Sequence, residues 1–404
     1  MEFNKYRLKE LAKYKNERIN TNQLTTSNYI STENLLPNKQ GKQKANKLPS
    51  SKTVKKYTET DILVSNIRPY FKKIWQADNI GGISNDVLNI TSSNEKISND
   101  YLYYYLSQDK FFQYMTQTSK GTKMPRGDKE AIMEFEIQVP KNVKYQNFIS
   151  NLGKFLDNKI EINNKIIANL EELSQTLFKR WFVDFEFPDK DGNPYKSSGG
   201  EMIDSELGEI PKNWSIKTVK EIAESFNSIR KPLSKIEREK RESIYPYYGA
   251  TKIIDYVDNY IFDGKYILVG EDGTVQTETG NPFIQYVWGK FWVSNHAHIL
   301  KGKLISDELL MLYLKNTNVA PYITGAVQPK LNKKNLNSIK FVIADKETII
   351  KFENSIKSYF QKIRILNKEN KKLIELRDTL LPKLMFGEIE IPDDIEVNSD
   401  ELSI

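Results

Sequence analysis

Cysteine is absent from all 404 residues, which excludes disulfides, Cys-ligated zinc, iron–sulfur clusters and thiol nucleophiles. Histidine is nearly absent: His296 and His298 are the only two. No stretch approaches the roughly 18 continuous apolar residues of a membrane span, and Met1-Glu2-Phe3-Asn4-Lys5 offers no signal-peptide core. A reducing cytosol is the natural setting, so a soluble, cytoplasmic chain with no membrane partner is expected. A phosphate-cradling loop of the form GxxxxGK followed by Ser or Thr is also missing, so ATP hydrolysis through such a loop is not expected.

What is present is basic and globular. Net charge is +7, and 39% of the residues are hydrophobic, enough for two or three lobes with cores of their own. Positive charge is clustered. Lys39, Lys42, Lys44, Lys47, Lys52, Lys55 and Lys56 crowd one polar stretch, and Arg230, Lys231, Lys235, Arg238, Lys240 and Arg241 crowd the corresponding stretch of the second half. Matched basic clusters point to a shared anionic partner, with nucleic acid the natural candidate.

The halves repeat. Gly121 and Pro125 recur 204 residues on as Gly325 and Pro329, and the same offset carries Ile132 to Leu336, Ile137 to Phe341, Asn163 to Asn367 and Leu177 to Leu381. Asp61-Ile62-Leu63-Val64-Ser65 reads as a buried strand answered by Tyr266-Ile267-Leu268-Val269-Gly270, and Ser84-Asn85-Asp86-Val87 is answered by Ser294-Asn295-His296-Ala297. Each half ends in a long heptad-patterned helix. The first sets Ile149, Leu156, Asn163, Leu170 and Leu177 on one seam position and Leu152, Ile166 and Leu173 on the other. The second sets Phe360, Asn367, Ile374 and Leu381 against Ile356, Ile363 and Leu384. A polar Asn in each stripe pins register at a cost in stability.

The fold class expected is α+β: two similar α/β domains separated by two long antiparallel coiled-coil helices, related by a pseudo-twofold internal repeat. A helix of about 38 residues would span about 57 Å. The boundaries are a domain at 1–142, a helix at 143–185, a linker at 186–213, a domain at 214–344, a helix at 345–387 and a tail at 388–404.

Catalytic chemistry is thin. Gly280-Asn281-Pro282-Phe283 lacks the second proline of the adenine-methylating motif, and no glycine-rich cofactor loop precedes it. Asp189-Lys190-Asp191-Gly192-Asn193 imitates a calcium loop with its glycine misplaced. His296 and His298 could share a face, but no third metal ligand is evident, so a structural or DNA-contacting role is expected. Neither a catalytic residue nor a metal ligand is therefore assigned. Candidates for DNA contact are Asn38, Lys39, Gln40, Lys42, Gln43, Lys44, Asn66, Arg68, Lys120, Lys123 and Arg126 in the first lobe. In the second they are Asn227, Arg230, Lys231, Gln328, Lys330 and Asn332. Cations supply phosphate affinity, and the polar side chains supply reach to base edges.

Tyr29-Ile30-Ser31-Thr32-Glu33-Asn34-Leu35-Leu36-Pro37-Asn38-Lys39, Asp61 to Tyr70 and Ser84 to Val87 are similar to stretches of target-recognition domains in type I restriction–modification specificity subunits. Leu177-Phe178-Lys179-Arg180-Trp181-Phe182-Val183-Asp184-Phe185 resembles the end of that family's central helix, and Leu380 to Ile389 the end of its distal one. The resemblance implies two target-recognition domains, each reading half of a split, asymmetric site in double-stranded DNA, with the helices setting the unread spacer. It implies two modification (methyltransferase) subunits bringing S-adenosylmethionine, and restriction subunits bringing ATP and Mg, docked on a chain that binds no cofactor and is not an enzyme. Two other readings stay open. A self-contained DNA-modifying enzyme lacks its motifs here, and a coiled-coil interaction protein without a DNA role leaves the basic clusters unexplained.

Overall fold

The computed structural model describes residues 1–325 and 327–392. Ala326, in the loop after Gly325, and the expected tail from 393 onward lie outside the described residues. The chain divides into two compact units. One comprises Met1–Asn164 and the chain from Asn367 onward, and the other Lys165–Leu366.

In the first unit, the apolar run after Asp61 forms the strand Ile62–Ser65 inside a four-stranded sheet. Its spatial order is Ala12–Tyr14, Val87–Ser92, Ile62–Ser65, Ile74–Gln76. Strand alternation sends Ile62 and Val64 into a core beneath the helices Asn99–Leu106 and Asp109–Gln117. Leu63 enters a separate core with Tyr57, Ile83 and Val87 on the other face. Burial on both faces is why this strand reads as continuous hydrophobicity. The second unit repeats the plan with Ala223–Ser225, Ala297–Gly302, Tyr266–Gly270, Ile284–Val287. Ile267 and Val269 enter one core, and Leu268 the other. Ser98 and Ser306 cap the helices that follow, each accepting a hydrogen bond from the backbone N–H three residues on.

The smaller sheets diverge. In the first unit Gly81–Ile83 lies between Thr53–Tyr57 (antiparallel) and Tyr29–Ile30 (parallel), with Arg18–Asn20 added outside Thr53–Tyr57. In the second, Lys290–Val293 lies between Phe262–Asp263 (antiparallel) and Tyr245–Tyr248 (parallel), with Ile253–Val257 added outside Tyr245–Tyr248. The inner three strands correspond, and the fourth sits on opposite edges.

The long helices are Val143–Phe178, closed by a π-turn at Lys179–Val183, and Lys346–Met385. Within the first unit their segments run antiparallel: Arg377 Nη1 donates to Asp157 (2.6 Å), and Asn163 Nδ2 donates to Asn370 Oδ1 (2.9 Å). Asp157 also accepts from the Tyr104 hydroxyl at 2.9 Å, tying lobe to both helices. In the second unit Glu308 makes the matching clamp, accepting from Tyr286 (2.7 Å) and Arg364 (3.2 Å). There Phe178 and Phe352 meet edge to face, in a core with Phe360 and Ile363.

The seam expected from heptads needs correction. Leu156, Asn163, Phe360, Ile363 and Leu381 are buried, and Leu152, Leu170 and Leu177 pack against the cores. Ile166 (36% exposed), Leu173 (46%) and Ile374 (36%) face outward. On the first helix the second seam falls four residues after the first, not three, at Gly153, Ile160, Ile167, Ser174 and Trp181. Small residues there permit close approach, a signal that counting apolar side chains passes over. Asn163 donates to Asn370 Oδ1 and to the Glu369 carboxylate on the second helix.

Gly153 marks a tight approach of the first long helix to its lobe, because a Cβ there would lie 2.5 Å from the Tyr104 ring. Gly153→Ala gains about 1 kcal/mol of helix propensity but forces overpacking of about 1–3 kcal/mol. A net loss of stability is therefore expected, measured as a lower urea midpoint at unchanged m-value.

Candidate nucleic-acid interface

Three segments in each unit are knitted together by main-chain hydrogen bonds, and the pattern is the same in both. In the first unit Lys120 and Arg126 exchange N–H···O bonds (2.8 and 2.9 Å), Gly127 N–H donates to the Asn66 carbonyl, Arg68 N–H to Pro125, and Asn66 N–H to Asp86. In the second, Thr324 and Lys330 exchange bonds (2.9 and 2.8 Å), Leu331 donates to Glu271, Gly273 to Pro329, and Glu271 to His296. The repeated glycines take the left-handed conformation that the loop requires, with φ of 91° at Gly121 and 87° at Gly325. Arg68 occupies the left-handed region at φ 49° where the second unit has Gly273 at φ 77°. An exposed arginine in that conformation is a strained choice of the sort found at functional sites.

Backbone bonding leaves side chains free to differ. In the first unit Arg126 Nη2 lies 3.3 Å from the Asp86 carboxylate, both half-open to solvent. Arg68 and Lys123 are exposed beside it, and Lys120 is exposed while paired with Asp128. Asp86 also borders a groove of about 250 Å³ whose walls carry Glu33, Gln43, Lys44, Asn46 and Lys47. Asn38 and Gln40 are exposed nearby in sequence. In the second unit Lys330 reaches Glu271 at 3.5 Å, His296 Nδ1 meets Asp272 at 2.6 Å, and Gln328 is exposed.

Several residues expected to contact DNA are committed inside the protein instead. Lys39 is largely covered and pairs with Asp378 (3.0 Å) and Asp109 (3.5 Å). Lys42 donates to the Ser27 carbonyl and lies over the Trp75 ring, and burial pulls its pKa down. Asn66 is buried, and its Oδ1 has no partner among the described residues. Arg230 is half-buried against Glu271 at 2.7 Å and donates to the carbonyls of Asn295 and Ala297. Asn332 caps the helix Lys333–Ser338. Of the second basic cluster, Arg238 and Arg241 pair with Asp255 and Asp258 and lie over Tyr247 and Trp292, which leaves Lys231 and its lysine neighbours exposed. The residues sequence reasoning missed are the carboxylates Asp86, Glu271 and Asp272. Only the alignment of Asp86 with His296 hinted at them.

The two histidines do not act as a pair. Asn227 Oδ1 accepts from Ile299 N–H, so its Nδ2 must donate to His298 Nδ1 (2.7 Å). The ring proton then sits on Nε2 and donates to the Leu331 carbonyl at 2.6 Å. Burial lowers the pKa of His298, keeping it neutral. Among the described residues no group of three or more His, Cys, Asp or Glu could hold a metal ion. The calcium-like Asp189 loop is a turn in which Asp189 Oδ1 accepts from Asp191 and Asn193 N–H. No helix among the described residues is long and apolar enough to cross a membrane.

Because the folded state holds His298 neutral, the unfolded chain takes up its proton first on acidification. This contribution to stability is present above about pH 6.5 and is lost as pH falls below it. Burial would raise the Glu271 carboxyl, but Arg230 and the neighbouring positive charges outweigh that and hold it low, so its contribution disappears at still lower pH. Amide protection factors, which are exchange rates corrected for the intrinsic slowing with acid, should therefore fall between pH 7 and 5 more in 266–302 than in 62–92, and His298→Gln should flatten that difference.

Comparison with known proteins bears on what this surface is for. The sequence matches the family described as "Type I restriction modification DNA specificity domain" over residues 1–172 and 211–376, once in each half. The type I restriction enzyme MjaIX specificity subunit of Methanocaldococcus jannaschii is 25% identical over 316 residues, 74% of this chain and 70% of that protein. The HindI specificity subunit of Haemophilus influenzae is 23% identical over 414 residues, covering 81% and 86% of the two chains. The crystal structure of a type I restriction–modification S subunit from M. genitalium superimposes with a TM-score of 0.57 at 19% identity, covering 97% of each chain, and so shares the fold.

Proposed function

The chain belongs to the type I restriction–modification DNA specificity family and is a specificity subunit, and from that premise we propose that it reads a bipartite, asymmetric site in double-stranded DNA, one half with each lobe. The observation that carries this is the duplicated three-segment platform, hydrogen-bonded alike in both units and furnished with different polar side chains. Identical frames with identical side chains would read a palindrome. Arg68, Lys123 and Arg126 on one platform and Gln328, Lys330 and His296 on the other favour two unlike half-sites. Exposed cations such as Lys44 and Lys47 supply the phosphate contacts that set register without reading sequence.

In this reading the chain carries no catalysis. Two modification subunits holding S-adenosylmethionine methylate adenine, and restriction subunits holding ATP and Mg translocate and cut. The long helices fix the number of unread base pairs. The exposed Leu173 and Ile166 in one unit, and Ile374 and Leu376 in the other, suit apolar docking of modification subunits along the helical segments.

Duplex binding by the full chain with its modification subunits should fall steeply with salt, with a log–log slope of about −0.9 per neutralised phosphate. Arg126→Ala should weaken discrimination in one half-site by about 1–3 kcal/mol, and Lys330→Ala should do so only in the other. Equal damage to both halves by either variant would end the one-lobe, one-half assignment. Inserting seven residues into both long helices should lengthen the spacer without altering either half, and an unchanged spacer would remove their role as its gauge.

A further inference from the structure

We propose that His296, oriented by Asp272, reads a base edge in the half-site of the second lobe. The inference rests on the reading of the platforms as DNA-facing and goes beyond it in naming the group and its chemistry.

His296 stands at the position that carries Asp86 in the first unit, since the carbonyl of each accepts the matched backbone bond, from Asn66 and from Glu271. In the first unit this position and its neighbour on the loop form the pair Asp86–Arg126. In the second unit the polarity is exchanged. The loop cation Lys330 is drawn toward Glu271 (3.5 Å), and the matched position carries an imidazole held by Asp272 at 2.6 Å. Each platform thus presents one hydrogen-bonding head with a carboxylate against it.

The environment of His296 is unlike that of a surface histidine left free to rotate. Its side chain is 50% exposed, whereas Asp272 behind it is 18% exposed. The carboxylate accepts from Nδ1–H, which fixes the ring plane and leaves Nε2 without a partner among the described residues. A pre-oriented ring loses little freedom on binding. Nε2 of such a ring accepts from the exocyclic amino group of adenine or cytosine in the major groove. His298, two residues on, offers no such atom, since both of its nitrogens are taken inside the lobe.

The test maps methylated adenines in cells carrying the complete system with wild-type chain, His296→Ala, His296→Gln, Asp272→Ala or Asp272→Asn. The expected result for His296→Ala is loss of preference at one base pair of one half-site, raising the number of modified sites about fourfold while the other half stays fixed. Asp272→Ala should relax the same position, and Asp272→Asn, which still accepts from Nδ1–H, should restore it. An unchanged motif for His296→Ala would overturn the assignment of the ring while leaving the bipartite reading intact. Loss of all modification in both His296→Ala and His296→Gln would also overturn it, by assigning the ring to holding the platform. A wild-type chain that directs no two-part motif would instead overturn the functional reading beneath it.

Discussion

Main-chain hydrogen bonds between three short segments are the constraint on which both lobes depend. Each platform is closed by the same five amide–carbonyl bonds, from Arg68, Asn66, Lys120, Arg126 and Gly127 in one unit and from Gly273, Glu271, Thr324, Lys330 and Leu331 in the other. Such bonds are indifferent to side-chain identity, apart from the glycines that supply left-handed backbone. The frame can therefore persist while its residues change. That separation of scaffold from surface lets one fold carry two dissimilar surfaces in a single chain.

Where the side chains differ, the interiors adjust. In the first unit a buried Asn66 sits at the centre of the platform, in the place Glu271 takes in the second. A carboxylate in that half-buried place needs compensation, and the cations Arg230 and Lys330 supply it. Arg230 is thus a structural counterion brought in by the sequence difference at Glu271. The outer sheet strands diverge in the same spirit, with the additional strand laid on opposite edges of a shared three-strand core. The lobe-to-helix clamps keep their chemistry, a tyrosine, a carboxylate and an arginine, while drawing them from different elements.

Much of this was legible in the sequence because it is repetitive or periodic. The run Ile62-Leu63-Val64 and its counterpart Ile267-Leu268-Val269 announce strands buried on both faces, and the Gly121–Pro125 and Gly325–Pro329 spacing announces the matched loops. On the second helix Ile356, Ile363 and Leu384 are buried as the stripe predicts, whereas the first helix was legible in one seam only. The other depends on Gly153 and Ser174, whose meaning is steric and emerges once Tyr104 is seen against the helix. Within the charge clusters, some cations are engaged inside the protein, which local sequence does not show. Arg230 meets Glu271, 41 residues away, and Lys39 meets Asp378, 339 residues away. Local charge density cannot reveal that a distant carboxylate has already claimed a cation.

The most direct test of two unlike reading heads on one chain is the adenine-methylation map of a genome modified by the wild-type system, read by single-molecule sequencing. The account predicts one motif with two specified parts of different sequence, separated by a fixed number of unspecified base pairs. A continuous motif, or two halves that are inverted copies of each other, would contradict it.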